Sequence, residues 1–292
     1  MSDPALEYLH DSLLQLRKQG KSNLTASKQA LEALLTAKPV ANPPTPPPIR
    51  AKEDHSGGRS YRDAGGLADL GNTPAPQSVA SPLVPSTGSK AERMAALRAI
   101  ALSCQKCTHL VKSRTQVVFG VGSLDAEIMF VGEAPGADED LQGEPFVGKA
   151  GQLLTKIIAA MGFDRGQVFI GNVLKCRPDM PANESGNRKP RPDEMATCLP
   201  YLAEQIEIIQ PKALVALGAT AMQGLTGATE PMNQLRGRWH QFKGIPLMAT
   251  YHPAYLLRNQ ANSEKRKVWE DMLQVLEKLG KPISEKQRNY FK

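Results

Sequence analysis

The sequence predicts an α/β domain whose mainly parallel β-sheet is covered by helices on both faces. Short apolar runs without polar alternation are typical of strands that are buried on both sides, and they lie at residues 117–119, 128–132, 168–170, 213–217 and 246–250. Segments with helical periodicity alternate with them, at residues 90–102, 148–161, 192–209, 219–225 and 263–279. In open sheets of this kind the functional residues follow the carboxyl ends of the strands, so we expect the chemistry in the loops after the apolar runs.

Three regions divide the chain. Residues 1–38 contain leucines at helical spacing, which predicts two short amphipathic helices. Residues 39–89 are rich in Pro, Gly and Ser and cannot bury enough apolar area to fold, so we expect a mostly disordered linker. Residues 90–292 form the predicted folded domain. We interpret the linker as a tether, and docking of the two helices on a protein partner is a further hypothesis that is compatible with it.

The composition excludes several classes of protein. No apolar run approaches the roughly 20 residues that span a bilayer, and the N-terminus lacks the basic and apolar regions of a secretory signal. Four cysteines in 292 residues are too few for a disulfide scaffold. We therefore expect a cytoplasmic monomer without membrane contact, whose net charge of +7 suits a polyanionic partner.

The four cysteines have an arrangement that is typical of a metal centre. Cys104 and Cys107 form a C-x-x-C pair, and Cys176 and Cys198 follow within the same predicted domain. Thiolates are ligands for Zn²⁺ and for iron–sulfur clusters, and this spacing is compatible with both. The residues alone therefore predict a four-thiolate site and leave the identity of the metal open.

The loop after the first central strand combines glycines with carboxylates. Gly132 and Gly136 flank a proline, which predicts a tight turn whose backbone can approach a ligand closely. Glu133 and Glu139 belong to a dense acidic segment of an otherwise basic protein. Ala134 lies between Glu133 and the proline of the turn. Such a segment indicates either a catalytic carboxylate or an ordinary solvated turn.

Two further residues have the chemistry needed to hold a flat heterocycle. Phe146 is either a core residue or a platform on which a base can stack. Asn172 follows a predicted strand, and its amide can donate and accept at once, as the edge of a pyrimidine requires. An asparagine in this position is also common in turns, so neither residue identifies the ligand by itself.

The last strand leads into the segment 252–258, with the sequence HPAYLLR. A neutral imidazole at His252 could donate to an oxygen that gains negative charge. Leu256 next to the cation Arg258 has the composition of an apolar wedge that enters a base stack while the cation holds a phosphate. The alternative is an ordinary helix start whose leucines are buried.

Taken together, these motifs resemble the family 4, iron–sulfur uracil-DNA glycosylases of the uracil-DNA glycosylase superfamily. The resemblance rests on GEAPG (132–136), GEPFVGKAG (143–151), NVLKCRP (172–178), HPAYLLR (252–258) and the four ordered cysteines, and it covers residues 91–280. It implies a three-layer α/β/α sandwich around a four-stranded, mainly parallel sheet. It also implies a [4Fe–4S] cluster on the four cysteines, with Zn²⁺ as the alternative.

The resemblance further implies a reaction and a role for each motif residue. The family flips uracil out of DNA and hydrolyses its N-glycosidic bond, which leaves an abasic site for base excision repair. Phe146 would stack on the uracil, Asn172 would read its edge, and His252 would stabilise the oxygen that becomes anionic. Leu256 would fill the vacated position in the stack, and Arg258 would lie near the DNA backbone.

This chain departs from the superfamily pattern at two positions. Ala134 stands where the best-known relatives have an aspartate that positions water, so Glu133 or Glu139 would have to take over that role. Gly136 stands where they have a tyrosine that excludes the methyl group of thymine, and Glu139 would then narrow the pocket. With Gly132, these residues form the expected substrate-binding loop.

One related group of proteins traps uracil-DNA covalently through a histidine in a basic insertion. Residues 177–197 contain no histidine, which favours turnover over trapping. The basic loop 179–191 is a hypothetical DNA contact. We therefore expect a monofunctional hydrolase acting on single- or double-stranded uracil-containing DNA, in the cytoplasm and at the nucleoid of a prokaryote. The alternative is a non-catalytic DNA-binding or partner-recruiting protein with the same fold.

Overall fold

The fold is that of a computed structural model, which describes residues 82–181 and 186–292. The helices predicted within 1–38 and most of the predicted linker lie outside the described residues. Within the described part of the chain, no helix is both long and apolar enough to cross a bilayer.

A single six-stranded sheet organises the domain, in the order β1-β3-β2-β4-β6-β5. Its strands are β1 (Val121–Gly122), β2 (Ile128–Gly132), β3 (Phe169–Asn172), β4 (Ala213–Leu217), β5 (Trp239–Phe242) and β6 (Ile245–Thr250). The four inner strands are parallel to one another, as the sequence predicts. The expected count of four is wrong for the whole sheet, because β1 and β5 add antiparallel edges.

The two edge strands lack the signal that identifies the inner ones. β1 has only two residues, and β5 is exposed or half-buried along its length, so neither forms a continuous apolar run. The run at 117–119, by contrast, is not a strand, although its three residues are buried. It leads into β1 as irregular chain, where the Val118 N–H donates to the Lys175 carbonyl at 2.8 Å.

The longer helices agree with the predicted segments to within two residues, whereas the shorter ones have no counterpart among those segments. The longer ones are α1 (Lys90–Leu102), α4 (Lys149–Ala160), α5 (Pro192–Ile209), α6 (Ala219–Thr226) and α9 (Asn262–Lys278). The shorter ones are α2 (Thr108–Ser113), α3 (Ala137–Gln142), α7 (Met232–Leu235), α8 (Pro253–Arg258) and α10 (Glu285–Arg288). Proline begins α5 and α8, where its missing N–H costs no helical hydrogen bond.

Two cores lie on opposite faces of the sheet, which is the predicted three-layer arrangement. In β2, Met129 and Val131 pack with α1, α5 and α6, whereas Ile128 and Phe130 pack with α4 and α9. This division follows from the strand geometry, since successive side chains point to opposite faces. Burial on both sides explains why these strands read as unbroken apolar runs.

The strand register brings the predicted functional loops to one edge. Gly132 at the end of β2 is paired with Asn172 at the end of β3. Leu217 at the end of β4 is paired with Thr250 at the end of β6. Since all four strands are parallel, the segments that follow them emerge side by side.

Candidate active site and metal centre

A cavity of about 500 Å³ opens at the carboxyl edge of the sheet. It is bounded by the loops after β2, β3 and β6 and by the described end of the basic loop. The predicted site residues that line it are Glu133, Ala134, Glu139, Phe146, Asn172, His252 and Arg258. The tertiary structure therefore brings together residues from four separate motifs.

Asn172 lies at the floor of the cavity with 2% of its surface exposed. Its side-chain oxygen is buried and has no hydrogen-bond partner among the described residues. Buried polar atoms are almost always paired, so an unpaired one at the wall of a cavity is available to a ligand. Gly132 makes room for this amide, because a β-carbon there would collide with Asn172 Oδ1 and lie 2.6 Å from Phe146 Cζ.

Phe146 is held in a conformation that aromatic residues rarely adopt. Its φ is 56°, in the left-handed region, and its side chain is 8% exposed. Gly151 at the start of α4 permits this turn, since a β-carbon there would overlap the Phe146 carbonyl. The ring faces His252 at a centroid distance of 5.6 Å and an interplanar angle of 30°. The turn thus presents an aromatic ring to the cavity at a fixed position.

His252 is the N-cap of α8, and its position fixes its tautomer. Nδ1 accepts a hydrogen bond from the Ala254 N–H at 3.1 Å, so the proton of the neutral ring belongs on Nε2. Burial, together with the positive charge of Arg258, lowers the pKa of His252 to about 4. The side chain is therefore a neutral Nε2–H donor at physiological pH.

In the loop after β2, Glu133 is a carboxylate that lines the cavity and can reach a ligand. Burial raises the pKa of Glu133, while a hydrogen bond with Thr220 and the charge of Lys189 act in the opposite direction. Its neighbour Ala134 contributes no acid to the cavity wall, as the sequence indicates. A half-buried carboxylate with a raised pKa has the properties of a general base.

Glu139 has a different environment from Glu133. Its two carboxylate oxygens accept hydrogen bonds from the backbone N–H groups of Gly136 (3.0 Å), Val147 (3.0 Å) and Gly148 (3.1 Å). These donors come from both the GEAPG and the GEPFVG loops, so the side chain joins the two motifs. This engagement favours Glu133 over Glu139 as the base.

The segment after His252 is a short helix and not an exposed loop. The expectation that Leu256 projects from the surface is wrong for this structure, where it is 5% exposed on the buried side of α8. Leu257 is 38% exposed, and Arg258 lies at the cavity. A helix start with a buried leucine was the alternative interpretation, and the geometry agrees with it for one of the two leucines.

The four cysteines converge behind the active-site edge. Cys107 is the N-cap of α2, Cys198 lies in α5, and Cys176 follows β3 by four residues. Burial raises the pKa of the Cys198 thiol to about 12, and the nearby Cys176 and Cys104 add to that rise. Burial also raises the pKa of Cys107, with further contributions from Cys176 and Cys104.

The donors around these sulfurs fit a bound cationic group. Arg114 donates to Cys176 Sγ at 2.9 Å and to the Cys104 carbonyl at 2.7 Å, and the Lys175 N–H donates to Cys198 Sγ at 3.3 Å. Four adjacent thiols cannot all ionise without such a group, because their charges repel one another. The residues present therefore fit a metal centre.

The spacing of the sulfurs can be compared with that of a zinc site. Tetrahedral zinc with bonds of about 2.3 Å would hold its thiolates about 3.8 Å apart. Among the described residues, no three cysteine sulfurs lie within 4.8 Å of one another. The sulfurs are therefore farther apart than tetrahedral zinc would hold them.

Several residues at or beside the cavity, among them Asn187, Lys189 and Thr220, are not among the predicted site residues. Asn187 and Lys189 reach it from the basic loop, and Thr220 contacts Glu133 from the first turn of α6. The sequence contains a weak signal for Asn187, Lys189 and Thr220. The basic loop was a hypothetical DNA contact, and Thr220 follows a strand end, where functional residues are expected.

Comparisons with known proteins agree with this arrangement. The model of the uracil DNA glycosylase superfamily matches residues 119–273. The type-4 uracil-DNA glycosylase of Thermotoga maritima is 46% identical over 176 residues, which are 58% of this chain and 86% of that protein. The type-4 enzyme of Archaeoglobus fulgidus is 42% identical over 182 residues, covering 58% and 88% of the two chains.

A type-5 uracil-DNA glycosylase is less similar to this chain. The protein from Pyrobaculum aerophilum is 30% identical over 188 residues, which are 53% of this chain and 80% of that protein. The region matched by the superfamily model contains the residues that line the cavity, Cys176, Cys198 and all six strands. The chain therefore belongs to the uracil-DNA glycosylase superfamily and, within it, to the type-4 family.

Proposed function

We propose that this chain is a monofunctional uracil-DNA glycosylase, a hydrolase that removes uracil from DNA and leaves an abasic site for base excision repair. The observation that carries the proposal is the unpaired, buried amide oxygen of Asn172 in a cavity that also contains Phe146 and His252. In this combination, Asn172 can pair with the edge of a base, Phe146 can stack on its ring, and His252 can donate to its carbonyl oxygen. The relatives bear the same activity in their names.

Recognition of the base begins with extrusion of the nucleotide from the stack. Extrusion costs a few kcal/mol, and least where the uracil is mispaired or single-stranded. The Phe146 ring then stacks on the uracil, and the Asn172 amide pairs with its edge. Because both side chains are held in place before binding, little further ordering is needed for recognition.

Departure of the base is a problem of charge stabilisation. As the bond between C1′ and the base nitrogen breaks, its electron pair leaves with uracil, and the sugar becomes cation-like. Negative charge develops on a uracil oxygen, to which the Nε2–H of His252 donates. A buried neutral donor of this kind is effective because its dipole is already aimed at the site where charge develops.

Water completes the reaction at C1′. Glu133 accepts the proton as the water oxygen bonds to the sugar, which yields the abasic product. Its raised pKa strengthens it as a base, and the positive charge of Lys189 opposes that rise. The best-known relatives in the superfamily have a water-positioning aspartate where this chain has Ala134. Glu133 therefore takes over the role of that aspartate.

The metal centre supports this site from outside the cavity. Cys104, Cys107, Cys176 and Cys198 would hold a [4Fe–4S] cluster, which would supply the charge that neutralises four thiolates and a cross-link between their segments. The sulfur spacing is wider than that of a tetrahedral zinc site. We further propose that the protein acts as a monomer on cytoplasmic DNA.

An excision assay tests the proposed function. The full-length protein is incubated with a labelled oligonucleotide that contains one uracil, in single-stranded form and opposite guanine or adenine, and then treated with alkali. We expect a break at the uracil and none at thymine. Salt-dependent binding without a break would overturn the proposal and favour the non-catalytic alternative.

Replacing Glu133 by glutamine tests the assignment of the base. We expect the single-turnover rate to fall about 10²- to 10³-fold, because the amide cannot accept a proton. Burial raises the pKa of Glu133 above 4.5, so the wild-type rate falls as the pH is lowered through that raised value. The variant should lack this acid limb. An unchanged limb in Glu133→Gln, or a larger loss in Glu139→Gln at equal folded fraction, would contradict the assignment.

Exposure within α8 leads to a prediction about duplex DNA. Since Leu257 is at the surface, we propose that it enters the vacated stack position, and Leu257→Ala should reduce excision from duplex about tenfold, with little effect on single strands. Leu256→Ala should instead lower the free energy of unfolding by about 2–5 kcal/mol, as expected for a buried leucine. It should affect excision from both substrates equally. A duplex-specific loss in Leu256→Ala alone would restore the role that the sequence assigned to that residue.

A further inference from the structure

A buried carboxylate outside the cavity holds one of the cavity walls. Glu194, in the first turn of α5, is 1% exposed. Oε1 accepts from Arg188 Nη2 at 2.6 Å and pairs with His109 Nε2 at 2.7 Å, while Oε2 accepts from Arg188 Nη1 at 3.0 Å and the Arg191 N–H at 2.6 Å. Burial alone would raise the pKa of Glu194, but these hydrogen bonds, chiefly from Arg188, lower it to about 2.

Arg188 extends this network to both sides of the basic loop. Its Nε donates to the Asp179 carbonyl at 2.7 Å, its Nη2 also contacts the Asp179 carboxylate, and its Nη1 donates to the Lys189 carbonyl at 2.9 Å. The ligand atoms of His109, Asp179 and Glu194 are close enough for a metal ion. The guanidinium, however, already donates to both carboxylates, so the group is a clamp around Arg188 and not a cation site.

The residues on either side of Arg188 face the cavity. Asn187 lies against the first loop, since its Nδ2 would be 3.1 Å from a β-carbon placed on Gly136. Lys189 lines the cavity with Glu133, and its positive charge acts on that carboxylate. The position of both side chains therefore depends on where the clamp holds the backbone between them.

We propose that Glu194 is a positioning residue for base excision, which acts through Arg188 to hold Lys189 beside Glu133 and Asn187 against Gly136. Glu194 itself lies outside the cavity lining. The inference rests on the proposed function and adds to it a residue from outside the family motifs described above. It assigns Lys189 the role of keeping the base ionised.

The test depends on the charges around Glu133. The other charged or titratable groups that face the same cavity are Glu139, Arg188, Lys189, His252 and Arg258. Only Lys189 and Asn187 flank Arg188 directly, so loosening the clamp moves Lys189 without moving the residues on α3 and α8. Loss of a nearby positive charge raises the pKa of a carboxylate. The acid limb of the excision rate should then shift to higher pH.

The experiment compares Glu194→Gln with Glu204→Gln across a pH series under single-turnover conditions. Glu204 is a matched control, because it is also buried on α5 and paired with an arginine, Arg93 at 3.2 Å, but lies away from the cavity. We expect Glu194→Gln to shift the acid limb upward and to slow excision roughly ten- to a hundredfold at neutral pH. Glu204→Gln should leave the acid midpoint unchanged.

Two further measurements keep the inference falsifiable if Glu194→Gln folds poorly. Lys189→Gln should produce the same upward shift of the acid limb, and combining it with Arg188→Lys should add little. Amide hydrogen exchange of the holoprotein at residues 186–191 should be faster in Arg188→Lys and Glu194→Gln than in wild type and Glu204→Gln. A wild-type acid limb in both Glu194→Gln and Lys189→Gln, or unchanged exchange, would overturn the inference.

Failure of this inference differs from failure of the proposed function. If the wild-type protein excises no uracil, the proposed function is wrong, and the exchange experiment still tests the clamp. If the wild-type protein excises uracil and Glu194→Gln behaves like Glu204→Gln, only the positioning role is wrong.

Discussion

Replacing His252 by alanine is expected to lower the single-turnover rate of uracil excision by about 10²- to 10³-fold, the usual cost of removing one preorganised donor to a developing oxyanion. The loss should appear in the chemical step, because the charge that His252 stabilises is absent from the bound substrate. Binding of uracil-DNA should therefore change much less than the rate. Rapid-quench assays at saturating enzyme, with a separate binding titration, measure the two effects.

The pH dependence supplies a second check on His252. Burial beside Arg258 lowers the pKa of His252 to about 4, so the ring stays neutral as the pH rises from 5 to 8. In Glu133→Gln, which lacks the acid limb of Glu133, the excision rate should consequently have no transition near 6.5, the pKa of an ordinary histidine. A matched control is His240→Ala, since that ring pairs with the Leu235 carbonyl at 2.9 Å outside the cavity. Equal rates in His252→Ala and His240→Ala would contradict the role of His252.

Replacing Cys198 by serine is expected to release the cluster and to lower the free energy of unfolding by about 3 kcal/mol or more. Cys198 is 7% exposed, and in the proposed cluster it would join α5 to the segments that carry Cys104 and Cys176. Loss of the cross-link therefore frees three parts of the chain at once. The absorbance near about 400 nm, the iron and sulfide content and the melting temperature should all fall together.

A neighbouring substitution separates ligand loss from helix damage. Thr197 is next to Cys198 on α5, and its hydroxyl donates to the Asp193 carbonyl at 2.8 Å without contact to a sulfur. Thr197→Ala should keep the wild-type iron content. Full iron content with unchanged stability in Cys198→Ser would exclude Cys198 as a ligand, while one zinc and no iron in the wild-type protein would refute the cluster.

The local pattern of the sequence predicted most of the fold. The four inner strands are buried on both faces, so each one leaves an unbroken apolar run in the sequence. The antiparallel edges β1 and β5 leave no such run, because an edge strand needs burial on neither face. Their presence is decided by pairing with β3 and β6, which are distant partners that local pattern does not encode.

The candidate site divides in a similar way. Glu133, Phe146, Asn172 and His252 were all expected, and they line one cavity. The exposure of the leucines in α8 was not predictable, because adjacent residues in a helix differ by about 100° in direction. Which of them faces the core depends on how α8 packs.

By itself, the sequence determined the parallel core, the family resemblance and the candidates for the residues that carry the chemistry, because these depend on residue type and local spacing. Only the tertiary structure decided that the Asn172 oxygen is left unpaired, that Glu139 is engaged by backbone amides, and that Leu256 is buried while Leu257 is exposed. It also decided that Glu194 is buried and pairs with Arg188, which lines the cavity. Each of these properties depends on contacts between segments far apart in the chain, and their strength comes from burial that no local pattern contains.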